Sequence, residues 1–296
     1  MQSFARQPLR TVEWPTLGLT ALIYGGWTLA TLFHERLPPL LLAAIGGWLT
    51  AWHGSLQHEV IHGHPTPWRR LNTLLAFPPL SLWLPFEAYR RSHLGHHATE
   101  HLTDPAHDPE SRYAAAWPER ALLWPQATLL GRLVLGPVLD VGRFLAGTIS
   151  GRGRLGLRAW ALHVLAVLAI LAWLHFVCAM SLGQYLLCFV YPGAALTLIR
   201  SFAEHRADAD PAHRVAVVER APVLGLLFLN NNLHAAHHAA PGAPWYRLPG
   251  FYRRERGRLL AANGGLVYAG YADVFRRFLL RPHDELSYPV SFEGRR

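Results

Sequence analysis

Long uncharged stretches alternate with short polar ones along this chain. Thr16 to Phe33 carries no charge, His34, Glu35 and Arg36 interrupt, and Leu37 to Gln57 is again without formal charge. Ala159 to Ile199 contains no Arg, Asp or Glu. A membrane crossing needs about 20 apolar residues, so this last run holds two, with a turn near Met180–Gly183. The pattern predicts four transmembrane helices in two hairpins, near 15–33, 37–57, 159–180 and 183–200. The alternative is a very apolar soluble bundle, but buried soluble helices seldom run this long without a charge.

Two weaker apolar segments are broken in another way. Leu71 to Phe86 holds Pro78, Pro79 and Pro85; Leu122 to Ile149 holds Pro125, Arg132, Pro137, Asp140 and Arg143. Both are expected at the cytoplasmic membrane surface as interfacial or half-inserted helices. The fold class is therefore an all-α integral membrane protein: four transmembrane helices plus a helical cytoplasmic cap drawn from 58–158 and 201–296. The Arg-rich stretch 246–296 is expected to fold back on that cap.

Charge placement orients the spans. Every one of the 28 basic residues is Arg, and the formal charge is +9. The connection after the first span has only Arg36, and the turn between the last two has none. Arg6 and Arg10 precede the first span, eleven arginines lie between 58 and 158, and fourteen from Arg200 onward. By the positive-inside rule, both termini and the central segment face the cytoplasm, as in a bacterial-type inner membrane. No cleavable signal peptide is evident, because the first apolar stretch is long and lacks a small-residue cleavage site. No basic run has the pattern of a nucleic-acid-binding module, so a nucleic-acid partner is not expected. Cys178 and Cys188 lie in an apolar stretch and read as small buried hydrophobes rather than as a disulfide framework or a thiolate site.

Composition adds one anomaly. Only 16% of the residues are charged, yet 18 are histidine. Three clusters stand out: His58-Glu59-Val60-Ile61-His62 with His64 after it, His93-Leu94-Gly95-His96-His97 with His101 following, and His234-Ala235-Ala236-His237-His238. Residues three and four apart share a helix face, so each cluster aims two or three imidazoles at one point or at two neighbouring points. Eight such rings (His58, His62, His93, His96, His97, His234, His237 and His238) are too many for one tetrahedral ion and suit two first-row metals. All three clusters fall on the same expected side of the membrane. His205, at the cytoplasmic end of the fourth span, is a further candidate, either as a ligand or in a supporting or interfacial role. His34, His53, His163, His175, His213 and His283 read as satisfied or solvated rings.

These three boxes on two hairpins resemble the membrane fatty acid desaturase and hydroxylase superfamily, which carries a non-haem di-iron centre and includes carotenoid ketolases. The resemblance covers roughly residues 15–250 as a single membrane-embedded domain within 1–296. It rests also on Asn230-Asn231-Asn232 before the third box and on Pro241 and Pro244-Trp245-Tyr246-Arg247-Leu248-Pro249 after it. Thr103-Asp104-Pro105 and Asp108-Pro109 extend it after the second box. It implies two iron ions as cofactor with dioxygen as co-substrate, held by the eight box histidines plus His205. The three residues between His58 and His62 match acyl-lipid-type members, and Ser201 departs from the family where some members have Asn.

What the resemblance implies is an oxidoreductase acting on a fatty acyl or other lipid chain, with a desaturase reading ahead of a hydroxylase or carotenoid ketolase. Removing hydrogen from an unactivated methylene needs an oxidant that no side chain provides, hence the metal. Electrons come from outside, since no flavin, haem or iron–sulfur motif is visible. The arginine-rich face suits an acidic ferredoxin-like donor, and equally anionic lipid head groups. Glu59, Glu100, Asp104, Asp108, Glu204 and Asp208 are candidate partners for the second imidazole N–H, which ligating histidines usually donate. Glu59, next to His58, points off the His58/His62 face. His58-Glu59-x2-His62 also matches a zinc metalloprotease pattern, a reading that leaves the two His-x2-His-His boxes without a role.

Overall fold

The computed structural model describes residues 11–114, 117, 119–149 and 155–288. Arg6 and Arg10, and with them the two chain ends expected in the cytoplasm, lie outside these. The described chain is mostly helical and packs as two compact units. Of the described residues, 11–91, 140–149 and 155–197 form one, and 92–114, 117, 119–139 and 198–288 the other.

In the first unit, α1 (Trp14–Leu32) has Pro15 in its first turn, where a missing N–H costs nothing. α2 (Pro39–Ile61) likewise has Pro39 there. Among the described residues, two helices are long and apolar enough to cross a membrane, α7 (Leu157–Val177) and α8 (Leu182–Glu204). They are separated where a turn was expected, and Ser181 caps α8 by accepting a hydrogen bond from the Gln184 N–H. Leu157, Leu165 and Phe176 of α7 stand exposed, as do Leu22 and Leu29 of α1 and Leu40 of α2. An apolar belt of this kind suits a hydrocarbon solvent better than water.

The hairpins are joined by small residues. A Cβ added to Gly46 would fall 2.5 Å from the Cys188 carbonyl, one on Gly47 2.8 Å from Pro192, and one on Gly193 2.6 Å from Thr50. Glycine, with no Cβ, is what lets these helix backbones approach so closely. The turns of both hairpins meet as well, through His34 Nε2, 3.0 Å from the Cys178 carbonyl.

The segment expected as a half-inserted helix over 71–86 differs. A helix, α3, covers only Arg69–Ala76, and Pro78-Pro79 ends it. The non-helical stretch that follows leaves carbonyls needing partners, and side chains from the long helices supply them. Tyr24 donates to Leu75 O at 2.6 Å, Gln57 to Ala76 O at 3.0 Å and Tyr185 to Leu80 O at 2.7 Å. Buried irregular backbone persists only when partners within the protein satisfy it.

α4 (Phe86–Ala98) begins in this unit and ends in the other. The second unit continues with α5 (Glu119–Leu123) and α6 (Leu129–Ile149), whose exposed Leu130, Val134 and Val138 recur every four residues as one apolar stripe. After α8 come the short helices α9 (Pro222–Leu227) and α10 (His234–Ala239), then α11 (Leu248–Ala262) and α12 (Tyr271–Phe278). One departure from an all-helical chain is a parallel pair of two-residue strands, β1 (Val217–Val218) and β2 (Val267–Tyr268). The non-helical backbone after α8 needs ladder partners for its buried N–H and C=O groups. Val215, Val217, Leu233, Leu248, Tyr252 and Leu259 form the core beneath α10 and α11. Residues 246–288 pack within the unit that carries the second and third histidine clusters.

Candidate metal centre

α4 carries His93, His96 and His97, α10 carries His234, His237 and His238, and His205 follows the last residue of α8. Helical spacing puts three rings of each box on one side, and the second unit brings all seven together. His96, His205, His234 and His238 each offer a ring nitrogen within 4.8 Å of the others, and His93, His97 and His237 do the same. The two groups adjoin, with the His97 and His238 rings stacked at 4.5 Å. His58 and His62 lie in the other unit, at the end of α2, with ring centroids 4.9 Å apart.

The contacts among the seven run through Nε2. His205 and His234 approach at 2.9 Å, His97 and His237 at 2.9 Å, His93 and His97 at 3.1 Å, His234 and His238 at 3.1 Å, and His96 and His238 at 3.3 Å. The Nδ1 atoms point outward to acceptors. His96 Nδ1 lies 2.8 Å from Asp108, His93 Nδ1 3.2 Å from Glu110, His205 Nδ1 3.2 Å from the Arg214 carbonyl and His234 Nδ1 3.1 Å from Asn231 Oδ1. Asn231 is fixed in this sense because its Nδ2 donates to Glu204.

These partners decide the proton positions. A neutral imidazole that donates through Nδ1 has a bare lone pair at Nε2, so the Nε2 atoms of His205 and His234 face each other as two acceptors. Neither ring takes a second proton near neutral pH. Burial, reinforced by the His96 charge, pushes His205 down to about 3. Burial with His238 and His205 pushes His234 well below the usual histidine range. His97 falls to about 3 through burial and its neighbours His93 and His96, and His238 also falls, through burial and His97. His96 goes the other way: burial opposes its charge, but the Asp108 hydrogen bond and nearby carboxylates outweigh that and raise it. Nitrogens bound at about 2.1 Å to one first-row metal stand about 3 Å from their neighbours. The donor set and its spacing therefore fit a cation between the rings.

Several supporting groups differ from expectation. Asp108 and Glu204 do meet the site; Glu204 lies 3.4 Å from His234 Nδ1 and pairs with Arg200 at 3.0 Å. Asp104 instead pairs with the exposed His107, Asp208 lies 3.9 Å from His213, and Glu100 is exposed. Glu110 was missed; the signal was its place two residues after Asp108, since alternate residues of that stretch face the cluster. His64 is held by buried Glu13 at 2.6 Å, and His101 packs against His107 with centroids 4.8 Å apart. The Ser201 hydroxyl donates to the Leu198 carbonyl at 3.4 Å. His53 meets Tyr24, and His283 meets Tyr268 and Arg112; His34 Nε2 meets the Cys178 carbonyl, but its buried Nδ1 has no partner among the described residues.

A family model described as fatty acid desaturase matches residues 36–271. No curated protein matches the chain.

Proposed function

The chain belongs to the fatty acid desaturase family, and from that premise we propose that it is a dioxygen-dependent di-iron oxidoreductase that introduces a carbon–carbon double bond into a fatty acyl chain of acyl-lipid type. Family membership makes it an oxidoreductase with a lipid substrate and associates it with a membrane. The observation that carries the metal reading is the approach of the His205 and His234 Nε2 atoms at 2.9 Å while the Nδ1 of each meets an acceptor elsewhere.

The proposed ligands are His58, His62, His93, His96, His97, His205, His234, His237 and His238. Two irons held there supply, with dioxygen and external electrons, the oxidant that acyl C–H bonds require. The protein's part is to aim the rings and to keep four of them neutral. Burial suppresses protonation of His97, His205, His234 and His238. Asp108 and Glu110 hold the Nδ1 protons of His96 and His93, fixing the tautomer that leaves Nε2 free to bind. The zinc-protease reading would use His58 and His62 alone and leave the seven-ring cluster idle.

The chain works, in this reading, as one membrane-embedded domain over 1–296 with spans near 15–33, 37–57, 159–180 and 183–200. The termini, 58–158 and 201–296 face the cytoplasm of a bacterial-type inner membrane. The exposed apolar residues of α1, α2 and α7 support the spans, and the arginine distribution supports the orientation. An acidic ferredoxin-like donor delivers electrons to the arginine-rich side, where Arg247, Arg253 and Arg254 are exposed.

The test is expression in a host of known lipid composition with products read by mass spectrometry. Loss of two hydrogens per acyl chain is expected, and His97→Ala abolishes it. Gain of one oxygen would make the protein a hydroxylase, and an oxidised carotenoid would make it a ketolase. Wild-type activity in His97→Ala, or one zinc per chain, would overturn the metal assignment.

A further inference from the structure

Beyond the imidazoles, the second unit buries a separate polar cluster at the far end of the chain. Arg112 Nη2 lies 2.8 Å from Asp284 Oδ1 and 2.7 Å from His283 Nδ1. The Tyr113 hydroxyl donates to Asp284 Oδ2, and the Tyr268 hydroxyl meets His283 Nε2 at 2.7 Å. All five side chains are buried, and the side chains of His283 and Asp284 are fully shielded from solvent. Burying an arginine–carboxylate pair is expensive unless its geometry is well satisfied. Such a cluster invites the question of what it holds.

Two of its contacts answer. Arg112 Nη2 donates to the His205 carbonyl at 3.4 Å, and the Tyr113 hydroxyl accepts from the Ala207 N–H at 2.7 Å. They grip the backbone on both sides of Arg206, just where the chain leaves α8. The Arg112 guanidinium also covers the Phe202 ring at 5.4 Å, and the His283 ring packs on Phe202 at 5.1 Å. The stretch is pinned from the opposite side by Ala216 N–H donating to Glu204 O at 2.8 Å and by His205 Nδ1 donating to Arg214 O. His205 differs from the six other rings of the cluster in lying outside a helix, in an isolated bridge to Val215. Helical neighbours aim the six; tertiary contacts must aim this one.

We propose that Arg112, Tyr113, His283 and Asp284 form a positioning device for His205, so that the C-terminal segment acts as a strap on the metal centre although it supplies no ligand. Arg112 follows Asp108 and Glu110 at the same two-residue interval, so one short stretch serves His96, His93 and His205 in turn. This rests on the reading of His205 as a ligand. His283 and Asp284 lie beyond residue 271, where the family match ends.

The test uses the full-length protein in detergent, loaded with iron, in four forms besides wild type: Asp284→Asn, Tyr113→Phe, His205→Ala and, as control, Glu219→Gln, which breaks the pair with Arg256. Iron per chain is followed over time against a chelator, alongside the thermal midpoint. Wild type is expected to hold two irons. Asp284→Asn and Tyr113→Phe should release one of the two about tenfold faster, the low end of what loss of a ligand-orienting group does to metal affinity. His205→Ala should lack that same iron, and Glu219→Gln should follow wild type. Release of both irons together, in step with a lowered midpoint, would reduce the strap to a structural element and overturn the proposal. So would unchanged release in both variants. Tyr113→Phe, which removes one oxygen, decides the matter should Asp284→Asn fail to fold. A wild type holding fewer than two irons, or a His205→Ala that keeps both, would instead overturn the ligand reading beneath it.

Discussion

His205 and His234 approach through their Nε2 atoms at 2.9 Å while the Nδ1 of each donates elsewhere, to the Arg214 carbonyl and to Asn231 Oδ1. Two lone pairs at that distance repel unless a cation lies between them. The fold thus holds the rings in an arrangement that makes physical sense with metal bound, and the outward partners enforce it.

Asp108 is the most consequential of those partners. It accepts from His96 Nδ1 and from the backbone N–H groups of Thr103 and Glu110. Asp108→Asn must turn an NH2 group toward one of these donors, and metal affinity should fall by about 10- to 100-fold. Glu110→Gln should do less, since Glu110 is 28% exposed. Asp104→Asn, whose side chain meets the exposed His107 and the Ala106 N–H of that loop, should leave iron content unchanged. Metal titration of the three variants checks the order.

Acid should undo the metal-free protein through the same rings. His97 and His205 fall to about 3 when folded, by burial first and then by neighbouring imidazoles. In the unfolded chain they return to near 6.5. Below that value the unfolded state binds more protons, so stability is complete above about pH 6.5 and is lost as pH falls toward 3. Each such ring contributes a slope of about 1.4 kcal/mol per pH unit in that window. Thermal midpoints of the chelator-treated protein at stepped pH should drop on the acid side only.

Gly46 sets the spacing of α2 and α8. A side chain there meets the Cys188 carbonyl at 2.5 Å and the Phe189 ring at 2.7 Å. Gly46→Val should destabilise by about 1–3 kcal/mol or more, as overpacking does. Gly54→Ala, where a Cβ meets nothing within 4 Å, should be tolerated or slightly stabilising. Thermal midpoints in one detergent compare the two.

Tyr185 joins three elements with one hydroxyl, accepting from Trp27 Nε1 at 3.0 Å and donating to the Leu80 carbonyl at 2.7 Å. Tyr185→Phe leaves both buried partners unsatisfied, at about 1–3 kcal/mol. The lowered midpoint should come with faster proteolysis between Phe77 and Pro85, which would show that the hydroxyl anchors the irregular segment.

Much of this was legible in order along the chain. Uncharged length marks the apolar helices, and three-and-four spacing marks the boxes, because both are properties of a single helix and need no neighbour. The break near Met180 was equally local, since Ser181 caps the next helix from within its own first turn. The irregular stretch after Ala76 was misjudged as helix. Its apolar composition fits a helix although its prolines do not, and the hydroxyl and amide groups that satisfy it lie far away in sequence.

What only the tertiary structure decided is which distant groups meet. Asp104, Asp108 and Glu110 are alike in sequence terms, yet packing sends Asp104 to a surface histidine and the other two to the imidazole cluster. His205 belongs with His234 because a short non-helical ladder folds it there, and Asp284 reaches its backbone through Arg112 and Tyr113. Helical periodicity can be read from a string of residues because it repeats over one turn. A hydrogen bond between residues 171 apart has no such period, and only the packed chain reveals it.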